Sequence, residues 1–171
     1  MKVFAIFGIS TLMSFVSSGV IAAVYAWPRL RTMNRERALV ALVAPHMFLR
    51  FIGLSFLVPG VVSPALPTAF SLPAAYGDFV AGLLAIAATV ALLRRGSWGT
   101  ALVWLFNIWG AADLLVAIYH GLRLRIDPGE LGGAFFIPTA VVPVLFVTHV
   151  LIFRLLIQPK GSGQATGALV K

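Results

Sequence analysis

Five apolar runs, each about the length of a membrane crossing, take up almost the whole of this 171-residue chain. They cover residues 3–27, 38–59, 74–93, 98–120 and 134–157. A helix needs roughly 20 predominantly apolar residues to cross the hydrocarbon layer. In lipid every backbone N–H and C=O must be satisfied within its own segment or a closed barrel, so runs of this length read as helices. The sequence therefore predicts an all-α fold, a polytopic membrane protein built as a five-transmembrane-helix bundle. Residues 1–157 form one domain, and the polar, Gly-rich stretch 158–171 reads as a disordered cytoplasmic tail. With 60% hydrophobic and 11% charged residues, there is no room for a soluble catalytic module.

The first run resembles a secretory signal peptide, and Val24-Tyr25-Ala26 would pass as a cleavage site. It is longer than a signal h-region, so it is expected to stay as a helix. The segment between the second and third runs, 60–73, has no charge and contains Pro64, Pro67 and Pro73. A loop so apolar is expected at the interface, either as a connector or as a lid over the bundle mouth.

The formal net charge of +8 does not point to nucleic acid. The basic residues sit at helix ends and make no exposed face to grip phosphates. They set orientation instead. Arg29, Arg31, Arg35, Arg37, Arg94, Arg95, Arg154, Lys160 and Lys171 fall on one side, and Lys2, Arg123 and Arg125 on the other. The bias predicts a periplasmic N-terminus and a cytoplasmic C-terminus in a bacterial inner membrane. Tyr25, Trp27 and Trp98 then lie at the inner interface, with Tyr76 and Tyr119 at the outer one. Cysteine is absent, which excludes disulfides, thiolate metal sites and thiol catalysis.

Charged side chains inside a span cost about 2.5–3.5 kcal/mol each on insertion scales and persist when paired or useful. Arg50, Asp78 and Asp113 are the three here, joined by the polar His46, Asn107 and His149. A rise of about 1.5 Å per residue puts His46 roughly 12 Å and Arg50 roughly 18 Å into the second helix. The same counting separates two layers, with Arg50, Asp78 and Asp113 toward the outside and His46 and His149 toward the inside. His46 and Arg50, four apart, share a helix face, as do Asp113 and His120. If these faces turn inward, Arg50 can pair with one or both carboxylates. Two Asp against one Arg leave a surplus negative charge, the beginning of a proton-handling or cation-binding site. The same pairing can equally be a clamp that sets helix register. The six residues are the candidate ligand-binding set. No metal is expected from three histidines at these spacings, and the two inner histidines leave haem b open without requiring it.

The stretch RFIGLSFLVPG, with Arg50, Gly53, Phe56 and Gly60, resembles the first helix of DoxX-like membrane proteins. GDFVAGLLAIAATVALLRR, with Asp78 four before Gly82, is similar to that family's second helix. The likeness runs over about 36–157 and leaves the first helix as an addition. It departs from the family in carrying Asp where Glu is usual and in lacking a lysine after the first matched helix. The resemblance implies a four-helix bundle with a polar centre, associated with quinone-linked redox complexes and with binding of small hydrophobic molecules.

Three functions are therefore open. The first is binding of a lipophilic molecule, a quinone or a lipid, or an accessory role beside a redox complex, with a membrane-protein partner or as a homo-oligomer. The second is a small proton- or solute-coupled transporter using Arg50, Asp78 and Asp113. The third is an intramembrane isomerase with Asp78 and Asp113 as acid and base, which has no nucleophile, metal motif or phosphate loop beside it.

Overall fold

Each apolar run forms one long helix. The computed structural model describes residues 2–158. In chain order the helices are α1 (Lys2–Leu30), α2 (Arg35–Leu57), α3 (Thr68–Leu93), α4 (Gly99–Arg123) and α5 (Ile137–Ile157), and all five are long and apolar enough to cross a membrane. There is no strand among the described residues. The tail expected over 158–171 lies, from residue 159 onward, outside them.

Helices α2 to α5 form the core, and α1 runs along α5 at its edge. Helix α3 is central. Ala74, Ala75, Ala81, Gly82, Ala85 and Ala88 are all buried along it, and side chains this small let α2 and α4 approach closely. A core of Leu39, Val43, Val103, Phe106 and Ile152 fills the half nearer the basic helix ends. There Arg35 donates to the carbonyl of Leu156 at 2.7 Å, satisfying a helix-end acceptor. The guanidinium of Arg154 lies 3.7 Å from the centre of the Trp27 ring, which ties α5 to α1.

Helix α2 is not uniform. Asn34 caps its start, its side-chain oxygen accepting from the Glu36 N–H at 2.8 Å. Pro45, lacking an N–H, interrupts the ladder, and from Arg50 to Leu57 the chain winds as a 3₁₀-helix. With three residues per turn, positions three apart fall in line. Arg50, Gly53 and Phe56 are accordingly the buried residues of that segment. In α1 and α5 a π-turn, Ala22–Ala26 and Ile137–Val141, is followed two residues later by Pro28 and Pro143. Each wide turn falls where the proline removes a ladder bond.

Helix α3 begins at Thr68 rather than at 74, because Pro67 supplies the extended cap residue and Pro73 is accommodated inside the helix. The missing N–H of Pro73 would have served the carbonyl of Ala69. His120 of α4 donates to that carbonyl instead, through Nδ1 at 3.3 Å. Asp113 and His120, placed on one face of α4 by their spacing, thus serve different partners.

The uncharged segment is shorter than expected, 58–67, and folds over this end of the core. It pairs with a 3₁₀ stretch, Pro128–Phe135, that precedes α5. Ser63 donates to the Glu130 carbonyl at 2.9 Å, and Gly133 to that of Val61 at 2.7 Å. Phe56, Leu66, Phe70, Leu131 and Ile137 form the apolar cluster beneath. Gly132, at φ 51° and ψ −127°, turns the chain where an added Cβ would run into the Val61 carbonyl. Gly132→Ala should therefore destabilise the protein by about 1–3 kcal/mol. Gly133→Ala, which meets only ordinary van der Waals contact at Val61, should change little. Thermal unfolding of both variants in detergent makes the comparison.

Candidate functional site

Arg50 is wholly enclosed, at 0% exposure, and its guanidinium is bonded to three other helices. Nη1 donates to Asp78 Oδ1 of α3 at 2.6 Å and to Asp113 Oδ2 of α4 at 2.8 Å. Nη2 donates to the Gly110 carbonyl of α4 at 2.7 Å and to His149 Nε2 of α5 at 2.7 Å. Nε, also buried, has no partner. Four of the five guanidinium protons are thus used, and α2, α3, α4 and α5 meet on one side chain.

Hydrogen-bond logic sets the histidine tautomers. A guanidinium can only donate, so Nε2 of His149 accepts and its proton sits on Nδ1, 2.6 Å from Asn107 Oδ1. The Asn107 amide nitrogen donates back to the His149 carbonyl at 3.2 Å, which fixes the amide's orientation. His46 is held differently. The Thr148 hydroxyl donates to the carbonyl of Leu145 at 2.8 Å, so it accepts from His46 Nε2 at 2.8 Å. Nδ1 of His46 is buried without a partner. The two imidazole rings are 4.7 Å apart, and Phe106 lies 5.0 Å from the His46 ring and 5.2 Å from that of His149.

All six candidate residues therefore belong to one connected group. The two layers expected from residue counting are bonded to one another, because the long Arg50 side chain reaches across to His149. Axial ligation of haem by the histidine pair does not fit this arrangement, since both nitrogens of His149 are already engaged. Among the described residues no group of three or more His, Asp or Glu side chains is arranged to hold a metal ion.

Three glycines make space for the charges. A Cβ at Gly53 would overlap the Asp78 carboxylate, one at Gly77 the Asp113 carboxylate, and one at Gly110 the His149 ring and Arg50. Gly53 follows Arg50 by three residues and Gly110 precedes Asp113 by three, so each faces the cluster one turn from a charge. Gly77, Phe106 and Thr148 also shape the site, yet none stands out in the sequence. A glycine near each charge within the apolar runs is the signal that the sequence carries. Trp109, 44% exposed, reaches from α4 to the Gly77 carbonyl at 3.4 Å, and Gly77 is the residue whose Cβ would overlap the Asp113 carboxylate.

The carboxylates differ from Arg50 in one respect. Each puts one oxygen on Nη1, while Asp78 Oδ2 and Asp113 Oδ1 take no part in holding the guanidinium. Their side chains are each 11% exposed, against 0% for Arg50.

Residues 6–157 match a family described as a domain of unknown function (DUF8737). The chain belongs to that family. No curated protein and no solved structure matches it. The match covers all six residues of the cluster.

Arg50→Leu should leave two buried carboxylates facing one another without a counter-charge, a loss of about 3–5 kcal/mol. The triple variant Arg50→Leu, Asp78→Asn, Asp113→Asn removes that repulsion and should recover most of the stability. Unfolding midpoints of the two variants in the same detergent provide the check, and equal midpoints would show that the charges contribute little.

Proposed function

We propose that this protein is a multi-pass protein of a bacterial inner membrane, N-terminus periplasmic and C-terminus cytoplasmic, that binds a lipophilic molecule at the Asp113 edge of the Arg50 network. The observation that carries the reading is the asymmetry of the cluster. Two carboxylates share one guanidinium nitrogen, and each keeps its second oxygen off the guanidinium, against Gly53 or Gly77, on a side chain that is 11% exposed, while Arg50 is sealed. The sealed part clamps four helices. The open part offers a hydrogen-bonding group within an apolar wall, which suits a hydrophobic ligand with a small polar head. A quinone or quinol meets that description, since its ring oxygens either accept from a protonated carboxyl or donate to a carboxylate. The DoxX-like resemblance of Arg50, Gly53, Asp78 and Gly82 supports the same class, and a role beside a membrane redox complex is consistent with it.

Proton-coupled transport through the cluster is disfavoured on physical grounds. The one acceptor nitrogen of His149 is occupied by a guanidinium that does not release its proton at accessible pH, so the bonded chain from Asp113 to His149 offers no route for a proton. An acid–base isomerase would need its two carboxylates to face a substrate separately, whereas Asp78 and Asp113 share one nitrogen.

Trp109 supplies a built-in reporter. In lipid nanodiscs a short-chain benzoquinone should quench tryptophan fluorescence saturably. Asp113→Asn should weaken the apparent affinity about ten-fold, the effect of losing one charge-assisted hydrogen bond of 1.5–3 kcal/mol at its lower end. Trp109→Phe should abolish the saturable component. Linear quenching in all three proteins would sink the reading. The cysteine-free chain also permits a topology test with an impermeant thiol reagent on intact cells. Ser97→Cys should be protected and Glu130→Cys labelled, and the reverse pattern would invert the orientation.

A further inference from the structure

The basic end of the bundle carries a groove of about 690 Å³ between the start of α2 and the end of α3. Its two walls repeat one arrangement. On α2, Arg37 stands at the rim with Val40 and Ala41, three and four residues on and so on the same helix face, below it. On α3, buried Leu92 and exposed Leu93 form the apolar wall, and Arg95, just past the helix end, stands at the rim. Asn34 and Glu36 complete the polar edge. Two arginines thus face one glutamate. Both ion pairs among the described residues are made by Arg50, so Glu36 neutralises neither rim arginine. Arg94 adjoins Arg95 and adds charge of the same sign.

A cationic rim over apolar walls complements one chemistry, an anion attached to a hydrocarbon chain. A free anion would use the rim alone and leave exposed Leu93 and Ala41 uncovered. We propose that this groove binds an anionic phospholipid of the surrounding leaflet, with the phosphate between Arg37 and Arg95 and an acyl chain along Val40, Ala41 and Leu93. The proposal rests on the membrane-spanning reading and is independent of the Arg50 cluster. It places a lipid where the α1–α2 turn meets the end of α3.

Native mass spectrometry of the full chain in mild detergent tests it, with phosphatidylglycerol and phosphatidylcholine offered together. The protein should retain phosphatidylglycerol preferentially. Arg37→Gln and Arg95→Gln should each weaken retention about five-fold, the usual effect of one basic side chain near an anionic headgroup. Arg29→Gln with Arg31→Gln, which removes twice the charge of either variant but outside the groove, should leave it unchanged. Arg95→Gly separates binding from folding. Arg95 has φ 53°, a conformation that glycine adopts without strain, so this variant should keep its unfolding midpoint while showing the same five-fold weaker lipid retention. Equal retention of the two lipids, an equal loss in the Arg29/Arg31 control, or displacement of the lipid by inorganic phosphate would overturn the proposal. Release of the protein from membranes by alkaline carbonate would instead overturn the membrane reading on which it rests.

Discussion

A buried guanidinium is the constraint from which the rest of this structure follows. Arg50 cannot shed its charge, and moving an unpaired ion into a medium of low dielectric is far more costly than any single helix contact can offset. The chain must therefore bring acceptors to it from every side. It does so with groups from three neighbouring helices, Asp78 from α3, Asp113 and the Gly110 carbonyl from α4, and His149 from α5. A slip of one residue along any of these helices would withdraw an acceptor by about 1.5 Å and turn it by about 100°. Register in a core of similar apolar helices is otherwise poorly specified, and the network supplies it.

Local structure is bent to serve that centre. The 3₁₀ winding after Leu49 is less favourable than α-helix over eight residues, but it aligns Arg50, Gly53 and Phe56 on one buried face. Gly53, Gly77 and Gly110 remove side chains where carboxylates and imidazole must lie against backbone. Asn107 orients His149, which in turn accepts from Arg50, so the positions of groups two bonds removed from the arginine are also set. His46 belongs to the same aromatic contact but to a separate hydrogen-bond chain through Thr148. Its unpartnered Nδ1 and the unpartnered Arg50 Nε are the fully buried polar atoms of the cluster that this arrangement leaves unsatisfied.

The two ends of the core are organised by different physics. At the end near Asp113, an uncharged segment pairs its backbone with the stretch before α5 and covers an aromatic cluster, which suits a boundary with little access to water. At the other end, arginines gather around helix termini, one on a carbonyl, one on an indole face and two at the rim of a groove. The carboxylate edge and the basic groove are thus separate features at different levels of one bundle.

Hydropathy made the number of helices, their all-α character and their approximate limits legible from sequence, because a run of twenty apolar residues has few other ways to satisfy its backbone. The charges inside those runs singled out Arg50, Asp78 and Asp113, since unpaired they would be too costly to keep. What counting along separate helices could not provide was the distance between side chains on different helices. Residue rise sets His149 a layer away from Arg50, because it measures height on one axis and ignores the reach of a long side chain. The sequence sets the start of α3 too late because Pro73 reads as a helix breaker, whereas His120, fifty-one residues from Ala69, supplies the donor for the Ala69 carbonyl that the proline leaves free. The sequence by itself determined that charge had to be buried and paired. Only the tertiary structure decided which atoms met, because that choice depends on glycine-made space and on donors and acceptors far apart along the chain.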